Sequence, residues 1–237
     1  MVRLAGFLAI SLFLLPALAV ARSSGPARST VTFIVIHTIG GPSCQDSSVV
    51  YPPIKGDAKE WMDYFIKDEV LGIHYVIDRD GQTLAGIPEN QIANHAKGSN
   101  ATSIGIELVN DGDGSDPFPL EQISALVKLL CRLRSSYSIS VDDIKGHSEV
   151  DNRMCRCGSS SFKKKVDPGT AFPWQKVREA VFACSLAKPK AGNSDANPRP
   201  SSSIGSLSRS KPGVWLQALE STRLRTSCPH SPTSPGP

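Results

Sequence analysis

The chain has 237 residues, 40% of them hydrophobic and 20% charged, with a formal net charge of +4. About 150 residues are enough for one globular domain with a good hydrophobic centre, with unstructured ends to spare. The charge is too small to point to nucleic acid, and no basic stripe alternates with aromatics, so no nucleic-acid partner is expected.

The N-terminus has the pattern of a targeting segment. Arg3 is followed by the apolar run 4–20, and Ala17-Leu18-Ala19 and Ala19-Val20-Ala21 are small-x-small cleavage sites. Residues 1–21 are expected to be a cleaved signal peptide, which predicts a secreted or periplasmic protein with no stable membrane span. Residues 22–30 are polar and predict a linker.

From residue 31 the periodicity predicts alternating elements. Residues 31–36 form a nearly continuous apolar run, as in a central strand covered on both faces. Residues 38–53 are rich in Gly, Ser and Pro and predict a loop. Ala58, Trp61, Met62, Phe65 and Ile66 recur at helical spacing within 57–66. Runs 73–77 and 82–87 flank Asp78-Arg79-Asp80-Gly81, an Asp-Gly hairpin signal. Residues 104–109 predict a strand and 111–119 a loop. In 120–134, Ile123, Leu126, Val127, Leu130 and Leu133 make one apolar helical stripe. Residues 141–144 predict a short strand, and 173–186 a last helix opened by a permitted proline. Residues 187–237 are dominated by Ser, Pro, Gly, Lys and Arg and predict a disordered tail. Strands interleaved with helices give an α/β class, a mixed central sheet with helices on its faces.

Six cysteines (Cys44, Cys131, Cys155, Cys157, Cys184, Cys228) in an exported chain make disulfides plausible, with 15 pairings open. Cys155 and Cys157 form C-x-C with no second pair at ribbon spacing, so a structural Cys-based zinc site is rejected.

The chemistry gathers in residues 146–174. His147 lies in GHSEVD and Asp167 in KVDPG, where Pro168 and Gly169 stiffen the turn. Imidazole plus carboxylate is zinc-ligand chemistry, and an open zinc site takes three protein ligands. His37, at the end of the first apolar run, supplies the third.

The stretches VIHTIG, HYVIDRDG, NHA, SIGIELVN, GHSEVD and KVDPG, in this order over about residues 31–183, resemble the zinc amidases of the N-acetylmuramoyl-L-alanine amidase type-2 family, relatives of the peptidoglycan recognition proteins. The resemblance implies the same mixed fold and a zinc-dependent hydrolase of peptidoglycan. The bond cut would be the amide between N-acetylmuramic acid and L-alanine of the stem peptide. It implies Zn2+ on His37, His147 and Asp167 and a peptidoglycan or muropeptide substrate, and the chain is expected to act as a monomer. Cys155 is the competing third ligand, eight residues after His147, but it lacks the following Pro-Gly that flanks Asp167.

Glu107, in a buried-looking strand, is the candidate general base and then acid, since a buried carboxylate is costly without a role. Lys165 is the candidate oxyanion stabiliser. His95 in NHA matches a family position near the substrate groove and is the candidate substrate-binding residue. His74, inside an apolar strand, is expected to be a hydrogen-bonded core histidine. Glu149 is expected to support the site or lie at the surface. Ile73 departs from relatives that carry a catalytic tyrosine before the hairpin histidine, which places more of the chemistry on Glu107. The alternative from another class is a non-catalytic peptidoglycan-binding module.

Overall fold

The structure is a computed structural model that describes residues 26–186. The expected signal peptide (1–21) and tail (187–237) lie outside the described residues. The five-stranded sheet has the order β5-β4-β6-β1-β7: β6 (Ser103–Leu108) is the middle strand, β1 (Phe33–Thr38) lies parallel between it and β7 (Ile144–Gly146), β4 (Tyr75–Ile77) is parallel to β6 on its other side, and β5 (Thr83–Ala85) is antiparallel at the edge. This is the mixed sheet with helices on its faces that the sequence predicts.

Period-two alternation on the central strands decides what each face carries. Ile34 and Ile36 of β1 and Ile104, Ile106 and Leu108 of β6 are fully buried in one core with Leu126, Leu130 and Leu133 of α2 (Leu120–Tyr137) and Val177 and Val181 of α4 (Trp174–Leu186). The second face packs Val76, Ile73 and Val109 against Ala58, Trp61 and Met62 of α1 (Ala58–Lys67). Asp57 caps α1, accepting from Glu60 N, while the Glu60 carboxylate accepts from Asp57 N, so two otherwise orphaned donors are satisfied reciprocally.

Four expectations change. The predicted loop 38–53 contains a small hairpin, β2 (Ser43–Gln45) and β3 (Ser48–Val50), whose three-residue strands are too short to give a periodic signal. The predicted strand at 141–144 is a 3-10 turn over Val141–Asp143 that hands over to β7 at Ile144, because Ser140 Oγ accepts from Asp142 N and bends the backbone. The stretch after His147 folds as a hairpin, β8 (Met154–Cys157) and β9 (Ser160–Lys163). The predicted linker belongs to the domain from Ala27, which bridges Gln91, and Arg28, whose guanidinium donates to the Gln91 and Ser103 carbonyls.

His74 is the core histidine expected. It is fully buried, and its Nδ1 accepts from Gly105 N at 3.0 Å while Nε2 faces the Gln91 carbonyl at 3.2 Å. Burial, then the neighbouring Arg28 cation, push its pKa down to about 4. A depressed histidine pKa contributes stability that is present above its ordinary value of 6.5 and lost as pH falls through the folded value. Thermal melts between pH 7 and pH 4 should therefore show falling stability. His74→Gln should melt lower at pH 7 but with a shallower acid slope.

Two disulfides join described elements. Cys131–Cys184 links α2 to α4, and Cys44–Cys157 links the β2–β3 hairpin to the β8–β9 hairpin. The first closes a 53-residue separation, for which the chain-entropy account gives about 4 kcal/mol. Chemical denaturation of the Cys131→Ala/Cys184→Ala double variant should show a loss of that order, and one under about 1 kcal/mol would count against the entropic account.

Candidate metal centre

Three neighbouring parallel strands deliver the site at their carboxyl ends, where open α/β sheets place ligands. His37 ends β1 opposite Glu107 of β6 in register. His147 follows β7 directly and opens the short helix α3 (His147–Val150). Asp167 arrives from the segment after β9 and is fixed by its own carbonyl, which accepts from Ser148 N at 3.0 Å. Gly146 allows this approach, since a Cβ there would stand 2.9 Å from Pro168 Cδ. By the alternation of β1 and β6, His37 and Glu107 face away from the α2/α4 core.

The donor atoms converge. His37 Nδ1 lies 2.8 Å from His147 Nδ1 and 3.4 Å from Asp167 Oδ2, and His147 Nδ1 lies 3.0 Å from Asp167 Oδ2. Ligands of a tetrahedral ion with bonds of about 2.0–2.1 Å stand about 3.3 Å apart, so the triple fits a small divalent cation with little movement. All three residues are buried. Burial pushes the His37 imidazole down to about 4, with His147 adding to the effect, so His37 is neutral at pH 7. Burial alone would raise the Asp167 carboxyl, but hydrogen bonding to the His147 and His37 rings outweighs it and holds the carboxyl well below the usual carboxylate range. A buried carboxylate beside two imidazoles is a cation-seeking donor set.

The structure thus brings together His37, His147 and Asp167. Cys155 is elsewhere, buried in β8 opposite Phe162 and disulfide-bonded, so it offers no thiolate. Glu149 turns back to accept from Gly146 N at 2.6 Å, capping α3. His147 Nε2 is buried without a hydrogen-bond partner among the described residues, 3.8 Å from Asp151 Oδ2. Asp151 is buried and held by the Arg153 guanidinium. Sequence reading did not single out Asp151; its one signal was an acidic residue one helical turn after His147.

The triple opens onto a groove of about 530 Å³. Trp61, Tyr64 and Phe65 of α1 line one side, and Phe162, Arg153 and Lys164 of the inserted hairpin line the other. Glu107, Lys165 and His95 also line it. The buried Glu107 Oε2 has no hydrogen-bond partner among the described residues. Burial, then repulsion from Asp167, push the Glu107 carboxyl up to about 8, against the opposing pull of Lys165. His95 is half-buried and joined to His37, its Nδ1 lying 2.9 Å from His37 Nε2. No described helix is long and apolar enough to cross a membrane.

Residues 27–170, more than half of the chain, match the N-acetylmuramoyl-L-alanine amidase family. The chain belongs to that family. It is 32% identical over 175 residues to the 1,6-anhydro-N-acetylmuramyl-L-alanine amidase AmpD of Enterobacter cloacae, covering 68% of this chain and 86% of that protein. It is 36% identical over 89 residues to an endolysin of Enterobacteria phage K11, covering 36% of this chain and 58% of the endolysin. The match therefore spans less than two thirds of that phage relative. Among solved structures, AmiD from E. coli, in complex with the substrate anhydro-N-acetylmuramic acid-L-Ala-D-gamma-Glu-L-Lys, shares the fold at TM-score 0.50 and 24% identity, over 67% of this chain and 60% of that one.

The raised Glu107 pKa sets a pH signature for the metal-free protein. A carboxyl raised from its ordinary 4.5 contributes stability that is present below that value and lost as pH rises through about 8. Glu107→Gln, unfolded in urea with chelator present, should gain stability relative to the parent between pH 5 and pH 8. An unchanged difference across that window would mean that Glu107 is not held protonated.

Proposed function

We propose that this chain is a zinc-dependent peptidoglycan amidase that cuts the amide between the lactyl group of N-acetylmuramic acid and L-alanine of the stem peptide. The observation that carries this reading is the buried His37–His147–Asp167 triple opening, beside an unpartnered Glu107, onto an aromatic-walled groove. Family membership and the muropeptide bound by AmiD support the substrate class. Zinc in the triple would polarise an amide carbonyl and lower the pKa of water towards neutrality.

The chain's own residues supply the rest. Glu107 takes a proton from the attacking water and returns it to the amine nitrogen as the C–N bond breaks. A divalent cation beside Glu107 would draw its raised pKa back down, into the range a base needs. Lys165, whose charge already acts on Glu107 and Asp167, stabilises the oxyanion of the tetrahedral intermediate. Arg153 and Lys164 also line the groove and add positive charge to it. Two disulfides within the domain favour an oxidising compartment, in line with a secreted or periplasmic enzyme made with a cleaved signal peptide.

Incubating the metal-loaded protein with purified sacculi, and identifying the released ends by mass spectrometry, tests the reaction. Free N-terminal L-alanine on released stem peptides is expected, and intact sacculi with a metal-free protein would instead indicate a binding module. Variants separate the roles. Glu107→Gln should keep its zinc and lose about 10²-fold or more in kcat. Asp167→Ala should lose both zinc and activity, since two protein ligands are too few for a catalytic zinc site. Cys155→Ser should keep its zinc. Metal content of the three purified proteins checks the assignment, and zinc retained by Asp167→Ala would reverse it.

A further inference from the structure

Cys155 is oxidised, yet no described cysteine is left to bond it. The chain holds six cysteines. The Cys44–Cys157 and Cys131–Cys184 bonds use four of them. Cys155 is itself disulfide-bonded, and among the described residues no cysteine is free. The sixth cysteine, Cys228, lies outside the described residues and is the one candidate within the chain.

We propose that Cys228 is the partner of Cys155, and that this third disulfide fastens the C-terminal segment of the chain to the hairpin beside the groove. The place of Cys155 decides where the segment is held. In β8 the buried residues alternate, so Cys155 and Cys157 leave the strand on the same face, while Met154 and Arg156 are exposed on the other. Cys157 bonds Cys44, which lines the groove. Cys155 stands opposite Phe162 of β9, and residues opposite each other in an antiparallel pair share a face. Phe162 lines the groove as well. The bond therefore draws Cys228 to the groove side of the hairpin.

Reach sets no obstacle. Fully extended, the chain from Leu186 to Cys228 spans about 140 Å, and a domain of this size has a radius of gyration of about 15 Å. Forming the bond takes two electrons and two protons from the Cys155 and Cys228 thiols. A disulfide-bearing oxidant of the export compartment accepts both and leaves as a dithiol.

The bond also determines what removal of the segment does. Without Cys228, Cys155 keeps a thiol two residues from Cys157 in the same strand. Its thiolate is then placed to attack the Cys44 sulfur, forming Cys44–Cys155 and releasing Cys157 as the thiolate, with no oxidant consumed. Cys228 thus protects the pairing that joins the two groove-side hairpins.

Tryptic mapping of the full chain, alkylated and never reduced, tests the bond. Trypsin cuts after Arg153 and Arg156, so peptide 154–156 carries Cys155 and peptide 157–163 carries Cys157. Peptide 154–156 is expected joined to peptide 226–237, the pair separating on reduction. Thiol titration of the intact chain in denaturant should find no thiol. Two thiols per chain, on Cys155 and Cys228, overturn the proposal. So does a Cys155 peptide joined to a second copy of the chain, seen as a dimer on a non-reducing gel. Cys228→Ser supplies the second measurement, with one thiol per chain expected, distributed between Cys155 and Cys157. A monomeric Cys228→Ser chain with no thiol would also overturn the proposal, since Cys155 would then have another partner.

Discussion

The structure depends on the two-residue period of its central parallel pair. In β1 and β6 one set of alternate side chains is aliphatic apart from Thr38 at the end of β1, and its isoleucines and Leu108 close the core under α2 and α4. The other set carries Val35, His37, Ser103, Gly105 and Glu107. A slip of one residue in either strand would exchange the sets, placing isoleucines in the groove and ionisable groups in the core. The aliphatic face, which holds the register, thereby also fixes where the chemistry stands.

Polar groups gathered on a buried face are costly unless each finds a partner. Most here do. His74 is held between Gly105 and Gln91, and His95 between His37 and Ser103. Glu107 Oε2 and His147 Nε2 are among the buried atoms left without a hydrogen-bond partner among the described residues. One lines the groove, and the other looks towards Asp151 in the segment that leads to the inserted hairpin. Unsatisfied groups at a functional site are a local departure that a stable framework can carry.

The fold was largely legible because its strongest signals are local. The apolar run before His37, the Asp-Gly hairpin and the stripe of α2 each declare their element within a dozen residues. The convergence of His37, His147 and Asp167 was legible through motif context, but the choice between Asp167 and Cys155 was not a matter of spacing. It turns on Cys155 lying in a strand of an inserted hairpin and being oxidised. The β2–β3 hairpin escaped because its strands are only three residues each, and it is pinned by a bond to Cys157, 113 residues away. The partners of His95 escaped for a similar reason. A motif could place His95 near the groove, but its contact with His37 spans 58 residues and needs a glycine on a third element to admit the ring.

The Cys44–Cys157 bond joins the two hairpins that flank the groove, one leading from His37 and the other following His147. Cys44 itself lines the groove, as do Arg153 and Phe162 of the second hairpin. Neither hairpin is wide or apolar enough to hold its own position against the sheet, since an isolated two-stranded ribbon is only marginally stable in water. The sulfur–sulfur link therefore holds together two short ribbons that each contribute residues to the groove, so this part of its lining rests on an oxidised pair of cysteines.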